Sequence, residues 1–140
     1  MLFRSTHLPG SSTFYLGGLI CYTPITKLNL CGVSASTLRN GTKSGEAQAL
    51  EMARGVKKLI KSDISLSTTG VAGEETEKTE KNVYIGFNFG KIEKALAIHF
   101  SGSKEALRVK ATQSALAFLK QNLTNWIKDN SYQEDHYERN

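Results

Sequence analysis

Two residues with catalytic side chains flank an apolar run near the start of the chain. Ser12 lies in PGSSTFYLGG, and Lys27 ends the run LICYTPITK, fifteen positions further on (27 − 12). A serine hydroxyl becomes a nucleophile when a base takes its proton, and a lysine is a base once burial disfavours its charged form. The spacing allows a Ser/Lys pair for acyl transfer, although a solvated surface lysine is its ordinary interpretation.

The sequence contains no other pattern typical of catalysis or metal binding. Its three histidines, His7, His99 and His136, are isolated, and nothing indicates a Ser-His-Asp triad. Glycine-rich nucleotide-binding loops and zinc-protease motifs do not occur. Cys21 and Cys31 lack metal-ligand spacing, and we interpret them as free thiols in a reducing compartment. We therefore expect no metal, no cofactor and a cytoplasmic location.

Charge is distributed unevenly along the 140 residues. The net charge is +5, but residues 129–140 hold four acids and one arginine, so residues 1–128 carry +8. A basic surface fits a solvated protein, a small-anion site or nucleic acid. Because the lysines are scattered and no nucleic-acid motif accompanies them, we favour the first two and expect no nucleic-acid partner. No apolar run reaches about 18 residues, so we expect no spanning helix and no membrane partner.

Hydrophobic periodicity predicts one domain of helices and strands. The predicted strands are 16–22, 63–68, 82–89 and 92–100. A turn after the first strand leads to a short helix that is capped by Ser34 and ends near Gly41. Two longer helices follow, one from its cap Ser44 to 61 and one from its cap Ser103 to 127. This order is typical of an α/β fold. We assign residues 1–128 to the domain and predict that the acidic tail, 129–140, is disordered.

Several ordered stretches resemble one protein family. They are PGSSTFYLGGLICYTPITKLNLCGV, TLRNGTKS, TTGVAGE and FSGSKEALR, and they span most of residues 8–127. In this order they resemble the C-terminal domain of CinA, which also occurs as a stand-alone nicotinamide mononucleotide deamidase of the PncC type. The resemblance implies a three-layer α/β/α sandwich with a mixed sheet, and a homodimer.

The resemblance also implies an activity, hydrolysis of nicotinamide mononucleotide to nicotinate mononucleotide and ammonia. By position, Ser12 matches the family's nucleophile, Lys27 its base, and Tyr22 a tyrosine beside them. The substrate-binding positions implied in the same way are Ser11, Ser44, Thr69, Gly70, Gly73, Lys104 and Arg108. The last two would meet the substrate phosphate near a helix N-terminus, or would form a solvated helix face.

The chain departs from the family pattern at several places. The family's first strand, most of its first helix and the block E-S-x-T-G-G are missing before PGSS. Glu74, Glu75 and Glu77 stand where the family has a glycine-rich loop, and their charges would repel an anionic substrate. An alternative hypothesis is a catalytically inactive, truncated homologue that acts as a binding or assembly module. A third is an amidase for another substrate.

Overall fold

The computed structural model describes residues 6–70 and 81–137. Its elements in chain order are the 3-10 turn Ser11–Thr13, α1 (Pro24–Cys31), α2 (Ala35–Arg39), the 3-10 turn Gly41–Ser44, α3 (Gly45–Ile60), β1 (Ile64–Gly70), β2 (Lys81–Phe89), β3 (Ile92–Phe100) and α4 (Lys104–Tyr137). The predicted α/β class is confirmed, since a sheet and packed helices share one core. The three strands after α3 lie where the alternating apolar pattern predicts them.

The described sheet has the order β1-β2-β3 and is antiparallel throughout. Ser67 pairs with Gly86, which in turn pairs with Ala95. A mixed sheet was expected, and within residues 6–70 and 81–137 no parallel pair occurs. The reason is that the second and third strands form a hairpin, turned at Gly90 with φ 60°, and the first strand also runs opposite to the second.

Helices cover both faces of the sheet, which gives the three layers expected. On one face, Val83 and Ile85 form a buried cluster with Ala115 of α4, and partly buried Leu66 and Phe118 pack around it. The other face is polar and close to α3. There the hydroxyls of two serines donate to main-chain carbonyls of that helix, Ser65 to Ala53 at 2.7 Å and Ser67 to Ala49 at 2.5 Å.

Helix α1 packs directly on α3. A Cβ atom added at Gly55 of α3 would lie 1.8 Å from the carbonyl oxygen of Cys31, so only a glycine allows this approach. Cys31 and Val33 form a second buried cluster with Met52. This packing sets where α1, and therefore Lys27, lies relative to the sheet.

Two predictions for the N-terminal region are wrong. Residues 16–22 form no strand, because a strand needs a partner and the three described strands pair only with one another. Residues 24–31 form a helix rather than a turn. Thr23 caps it, since the Thr23 hydroxyl accepts from the Thr26 amide and the Thr26 hydroxyl accepts from the Thr23 amide. Pro24 occupies the first helical position, which it favours.

Two of the three helix caps predicted from the sequence form the expected side-chain hydrogen bond. Ser34 and Ser103 each accept a hydrogen bond from a main-chain amide three residues later, at 3.2 Å. Ser44 precedes α3, but its hydroxyl makes no cap bond. It donates instead to the carbonyls of Thr37 and Gly41, at 2.6 and 3.0 Å, and so joins α2 to the start of α3.

Helix α4 extends further than the sequence indicates. It continues past residue 127 to Tyr137 and therefore includes much of the tail, 129–140, for which disorder was expected. No glycine or proline follows Gly102, so no residue type breaks the helix. Trp126 also anchors its last third, because its ring packs edge-on against Phe89 with centroids 5.0 Å apart.

The close contact between α1 and α3 determines whether Gly55→Ala raises or lowers the free energy of unfolding. Helix propensity alone favours alanine over glycine by about 1 kcal/mol, so Gly55→Ala would stabilise an isolated helix. In the folded chain the new methyl group meets the carbonyl of Cys31, and we expect a net loss of about 1–3 kcal/mol from overpacking. Urea denaturation measures this change. An unchanged or higher free energy of unfolding would contradict the packing described.

Candidate active site

Lys27 lies at the meeting point of three elements. It belongs to α1, and its Nζ atom donates to Oε1 of Gln48 in α3 at 2.8 Å and to Oγ1 of Thr69 in β1 at 3.1 Å. The Thr69 hydroxyl in turn donates to the same Gln48 oxygen at 2.8 Å. The three side chains therefore form a closed ring of hydrogen bonds at the end of β1.

Burial changes the acid–base behaviour of this lysine. Lys27 is half-buried, and the loss of solvation lowers the pKa of its ammonium below the usual lysine value. The nearby thiols of Cys21 and Cys31 have the opposite, smaller effect on this pKa when they ionise. Burial and a hydrogen bond with Cys21 also raise the pKa of Cys31 to about 11. Lys27 is thus easier to deprotonate than a solvated lysine.

An open cavity lies beside Lys27. Its volume is about 380 Å³, which is within the range of small-molecule sites. The lining residues are Cys21, Tyr22, Lys27, Thr68, Thr69 and Gly70. Tyr22 is 91% exposed, so its ring stands at the rim and is free to contact a ligand. The structure therefore gathers four of the residues proposed from the sequence, namely Tyr22, Lys27, Thr69 and Gly70.

Ser12 lies in the exposed 3-10 turn Ser11–Thr13, which follows Gly10 at φ 80°. Within residues 6–70 and 81–137, no hydrogen bond joins Ser12 to Lys27, and the hydroxyl that contacts Lys27 is that of Thr69. Thr69 is buried, with 7% of its surface exposed, whereas Ser12 is open to a ligand. The Ser12–Lys27 pair stays a prediction, and catalytic contacts are often long before a substrate binds.

Comparisons with known proteins decide the family. A model of the CinA C-terminal domain matches residues 2–123. The chain belongs to the CinA C-terminal domain family. Two CinA-like proteins are similar to it, one from Sulfurihydrogenibium at 36% identity over 120 residues and one from Endomicrobium trichonymphae at 34% over 121 residues. Each match covers 84% of this chain, which spans only 30% and 28% of the length of these two relatives.

Solved structures of CinA-type proteins have the same fold. The competence damage-inducible protein A of Klebsiella pneumoniae superposes with a TM-score of 0.76 at 28% identity, over 86% of this chain and 76% of that one. A CinA superfamily protein of Escherichia coli gives a TM-score of 0.72 at 26% identity, over 81% and 67% of the two chains. The chain therefore shares its fold with these CinA-type proteins.

Other site residues expected from the CinA resemblance lie away from the cavity or outside the described residues. Ser44 holds α2 to α3 and does not line the cavity. The hydroxyl of Ser11 donates to the carbonyl of Thr6 at 3.4 Å. Lys104 and Arg108 begin α4 at the end of the sheet where Gly70 ends β1, but they do not line the cavity.

Gly73, expected in the loop after β1, lies outside the described residues, as do Glu74, Glu75 and Glu77. Across the described ranges no cluster of three or more His, Cys, Asp or Glu side chains could hold a metal ion. No helix described in the structure has the length and apolar character needed to cross a membrane.

Gln48 is the site residue that the sequence analysis missed. It is half-buried on α3, one position before buried Ala49 and four before buried Met52. A polar residue beside a buried stripe at helical spacing is a weak signal on its own. Ala47 and Leu50 follow the apolar spacing of this helix, but Ala47 is exposed, so the buried stripe is rotated towards Gln48.

The lowered pKa of Lys27 has a consequence for stability. The unfolded chain has a lysine pKa near 10.4, and the folded pKa lies below it. Between these two values the unfolded state binds more protons, so the stability that Lys27 contributes rises with pH through this window and is lowest below the folded pKa. We expect the free energy of unfolding of wild type minus that of Lys27→Met to increase as the pH rises towards the unfolded lysine pKa of about 10.4.

Urea denaturation at a series of pH values measures this difference, and Lys58→Met, which removes an exposed lysine of α3, is the matched control. A difference for Lys27→Met that is flat or falls with pH would contradict a desolvated ammonium at this position.

Proposed function

We propose that the protein is an amidohydrolase that deamidates nicotinamide mononucleotide by a Ser/Lys mechanism. The observation that supports it best is the half-buried Lys27, held by Gln48 and Thr69 at the wall of an open cavity. Membership of the CinA C-terminal domain family supports the same proposal. The chain spans less than a third of its full-length relatives, and the activity proposed here is that of this domain.

The proposed reaction has two stages. Ser12 attacks the carboxamide carbon of the nicotinamide ring while neutral Lys27 takes the hydroxyl proton. Main-chain N–H groups stabilise the oxyanion of the tetrahedral intermediate, and its collapse breaks the C–N bond as Lys27 returns the proton to the departing ammonia. Water then hydrolyses the ester on Ser12, with Lys27 as base again, and nicotinate mononucleotide is released. Ser12 has to approach Lys27 for the first stage.

The cavity suits such a substrate in shape and chemistry. The exposed ring of Tyr22 can stack on the positively charged pyridinium ring, because aromatic faces attract cations. Gly70 has no side chain and leaves room for a ligand at the end of β1. We assign the phosphate to Lys104 and Arg108, which lie at the same end of the sheet. Neither stage of the proposed reaction requires a metal.

A second candidate is an inactive homologue that acts as a binding or assembly module. Two observations favour it: Ser12 makes no hydrogen bond to Lys27 among the described residues, and apolar side chains of the N-terminal region face solvent. The latter are Leu8, Phe14, Leu16, Leu19, Ile20, Ile25 and Leu30. Exposed apolar patches of this kind mark interfaces, and we propose that they bury against a second copy of the chain in a homodimer.

The two thiols, Cys21 and Cys31, support a cytoplasmic location.

An ammonia-release assay with nicotinamide mononucleotide separates the two candidates. We expect turnover by the wild type, and a loss of about 10³-fold or more in kcat for both Ser12→Ala and Lys27→Met, because each removes one half of the nucleophile–base pair. Lys58→Met and Ser36→Ala are matched controls at exposed positions and should keep full activity. A folded wild-type protein without turnover would reject the enzyme and favour the binding module.

A further inference from the structure

We propose that Gln48 is the positioning residue that orients Lys27 as a base, an inference that rests on the proposed function. It is the member of the ring that accepts from both others, since its Oε1 atom takes one hydrogen bond from Lys27 and one from Thr69, each at 2.8 Å. A lysine only donates while charged, so the atom of Gln48 facing it has to be the carbonyl oxygen.

The ring leaves one direction open at the lysine nitrogen. The Nζ atom is tetrahedral, and Cε occupies one of its four positions. Gln48 and Thr69 take two more, and no further hydrogen bond of Nζ occurs in the described part of the chain. When Lys27 is neutral, its two N–H groups satisfy these acceptors, and its lone pair occupies the remaining position. Because Lys27 lines the cavity, that position is where a hydroxyl can deliver its proton.

Gln48 is suited to this role because its backbone is fixed against the sheet. The next residue, Ala49, accepts a 2.5 Å hydrogen bond from Ser67, and Thr69 lies two residues along the same strand and on the same face. A positioning group works best on a rigid element with its own supporting contacts. The distance between Gln48 and Thr69 is thus set by α3–β1 packing and not by a loop.

Two substitutions of Gln48 test the proposal. Gln48→Glu places a carboxylate beside Lys27, which favours the ammonium, so the acid limb of the pH profile of kcat/KM should move up by about one pH unit. Gln48→Met keeps a side chain of similar length but accepts no hydrogen bond from Lys27. It should lower kcat on the plateau and should not move the limb upward. Gln121→Glu adds the same charge at an exposed site on α4 and is the matched control.

A second measurement needs no turnover. Acetic anhydride acetylates only neutral amines, so the pH dependence of Lys27 acetylation, followed by peptide mass spectrometry, reports the ionisation of this residue directly. We expect the Lys27 profile to shift upward in Gln48→Glu and not in Gln121→Glu. A Lys27 profile unchanged in Gln48→Glu would overturn the proposal, whether or not nicotinamide mononucleotide is hydrolysed. A shifted profile in a protein that hydrolyses nothing would retain the Gln48–Lys27 coupling and reject the proposed function.

A separate observation carries a second inference, about the two cysteines. Their Sγ atoms are 3.5 Å apart, while Cys21 lines the cavity and Cys31 is buried. We propose that Cys21 and Cys31 are a site of reversible disulfide formation, with a low-molecular-weight disulfide as oxidant. The cross-link would close the segment that carries Tyr22 and Lys27, and an S–S bond of about 2.05 Å requires the two sulfurs to move together.

The order of events follows from accessibility. The Cys21 thiolate attacks one sulfur of the small disulfide, whose S–S bond breaks and releases one thiolate. The Cys31 thiol then loses its proton and attacks the Cys21 sulfur, which expels the second small thiolate. Two protein thiols are oxidised, and one small disulfide is reduced to two thiols. Burial keeps Cys31 protonated until this step, since its pKa is about 11.

Oxidised glutathione is the probe, and intact-mass and peptide analysis are the readouts. We expect the wild type to lose two hydrogen atoms and to yield a Cys21–Cys31 cross-linked peptide, which dithiothreitol reverses. Cys31→Ser should stop at a glutathione adduct on Cys21. A wild type that keeps both thiols, or that retains the adduct, would overturn the proposal. If nicotinamide mononucleotide is a substrate, its hydrolysis should fall on cross-linking and recover on reduction.

Discussion

The contact between α3 and the polar face of the sheet determines where every site residue lies. Small residues make it close: the hydroxyls of Ser65 and Ser67 bond main-chain carbonyls of α3, and a Cβ atom at Gly86 would lie 2.3 Å from the carbonyl of Ala49. This fixes the helix against β1. On its outer side, Gly55 allows α1 to pack equally close. Two closely packed interfaces, one between the sheet and α3 and one between α3 and α1, thus place Lys27 at the end of β1. Larger residues at either interface would move it away.

The electrostatics of the site follow from this placement. Burial of a lysine is unfavourable unless its N–H groups are satisfied, and here Gln48 and Thr69 satisfy two of them without supplying a negative charge. Neutral acceptors orient the amine and leave its pKa lowered, whereas a carboxylate at the same place would hold it as an ammonium. Cys21 lines the same cavity as Lys27, so a change in the thiol alters the surroundings of the lysine.

Local signals predicted much of this fold, and non-local contacts account for what they missed. The strict alternation in 82–89 and the caps at Ser34 and Ser103 are encoded by neighbouring residues and were found where expected. The apolar run 16–22 has the composition of a strand, but strands also need a partner. Within the site, resemblance to the family indicated Lys27, Tyr22 and Thr69. Gln48 required the tertiary structure, because its role depends on how α3 is rotated against β1.

If Lys27 activates Ser12 for attack on the carboxamide, an acyl-enzyme forms on Ser12 and can be trapped. Protein mixed with nicotinamide mononucleotide is quenched in acid within the first turnovers, digested and mapped by mass spectrometry. We expect a nicotinate mononucleotide ester on the Ser12 peptide of the wild type and none in Lys27→Met. Turnover with an ester on Thr69 or Ser11, or no ester and no turnover at all, would contradict it.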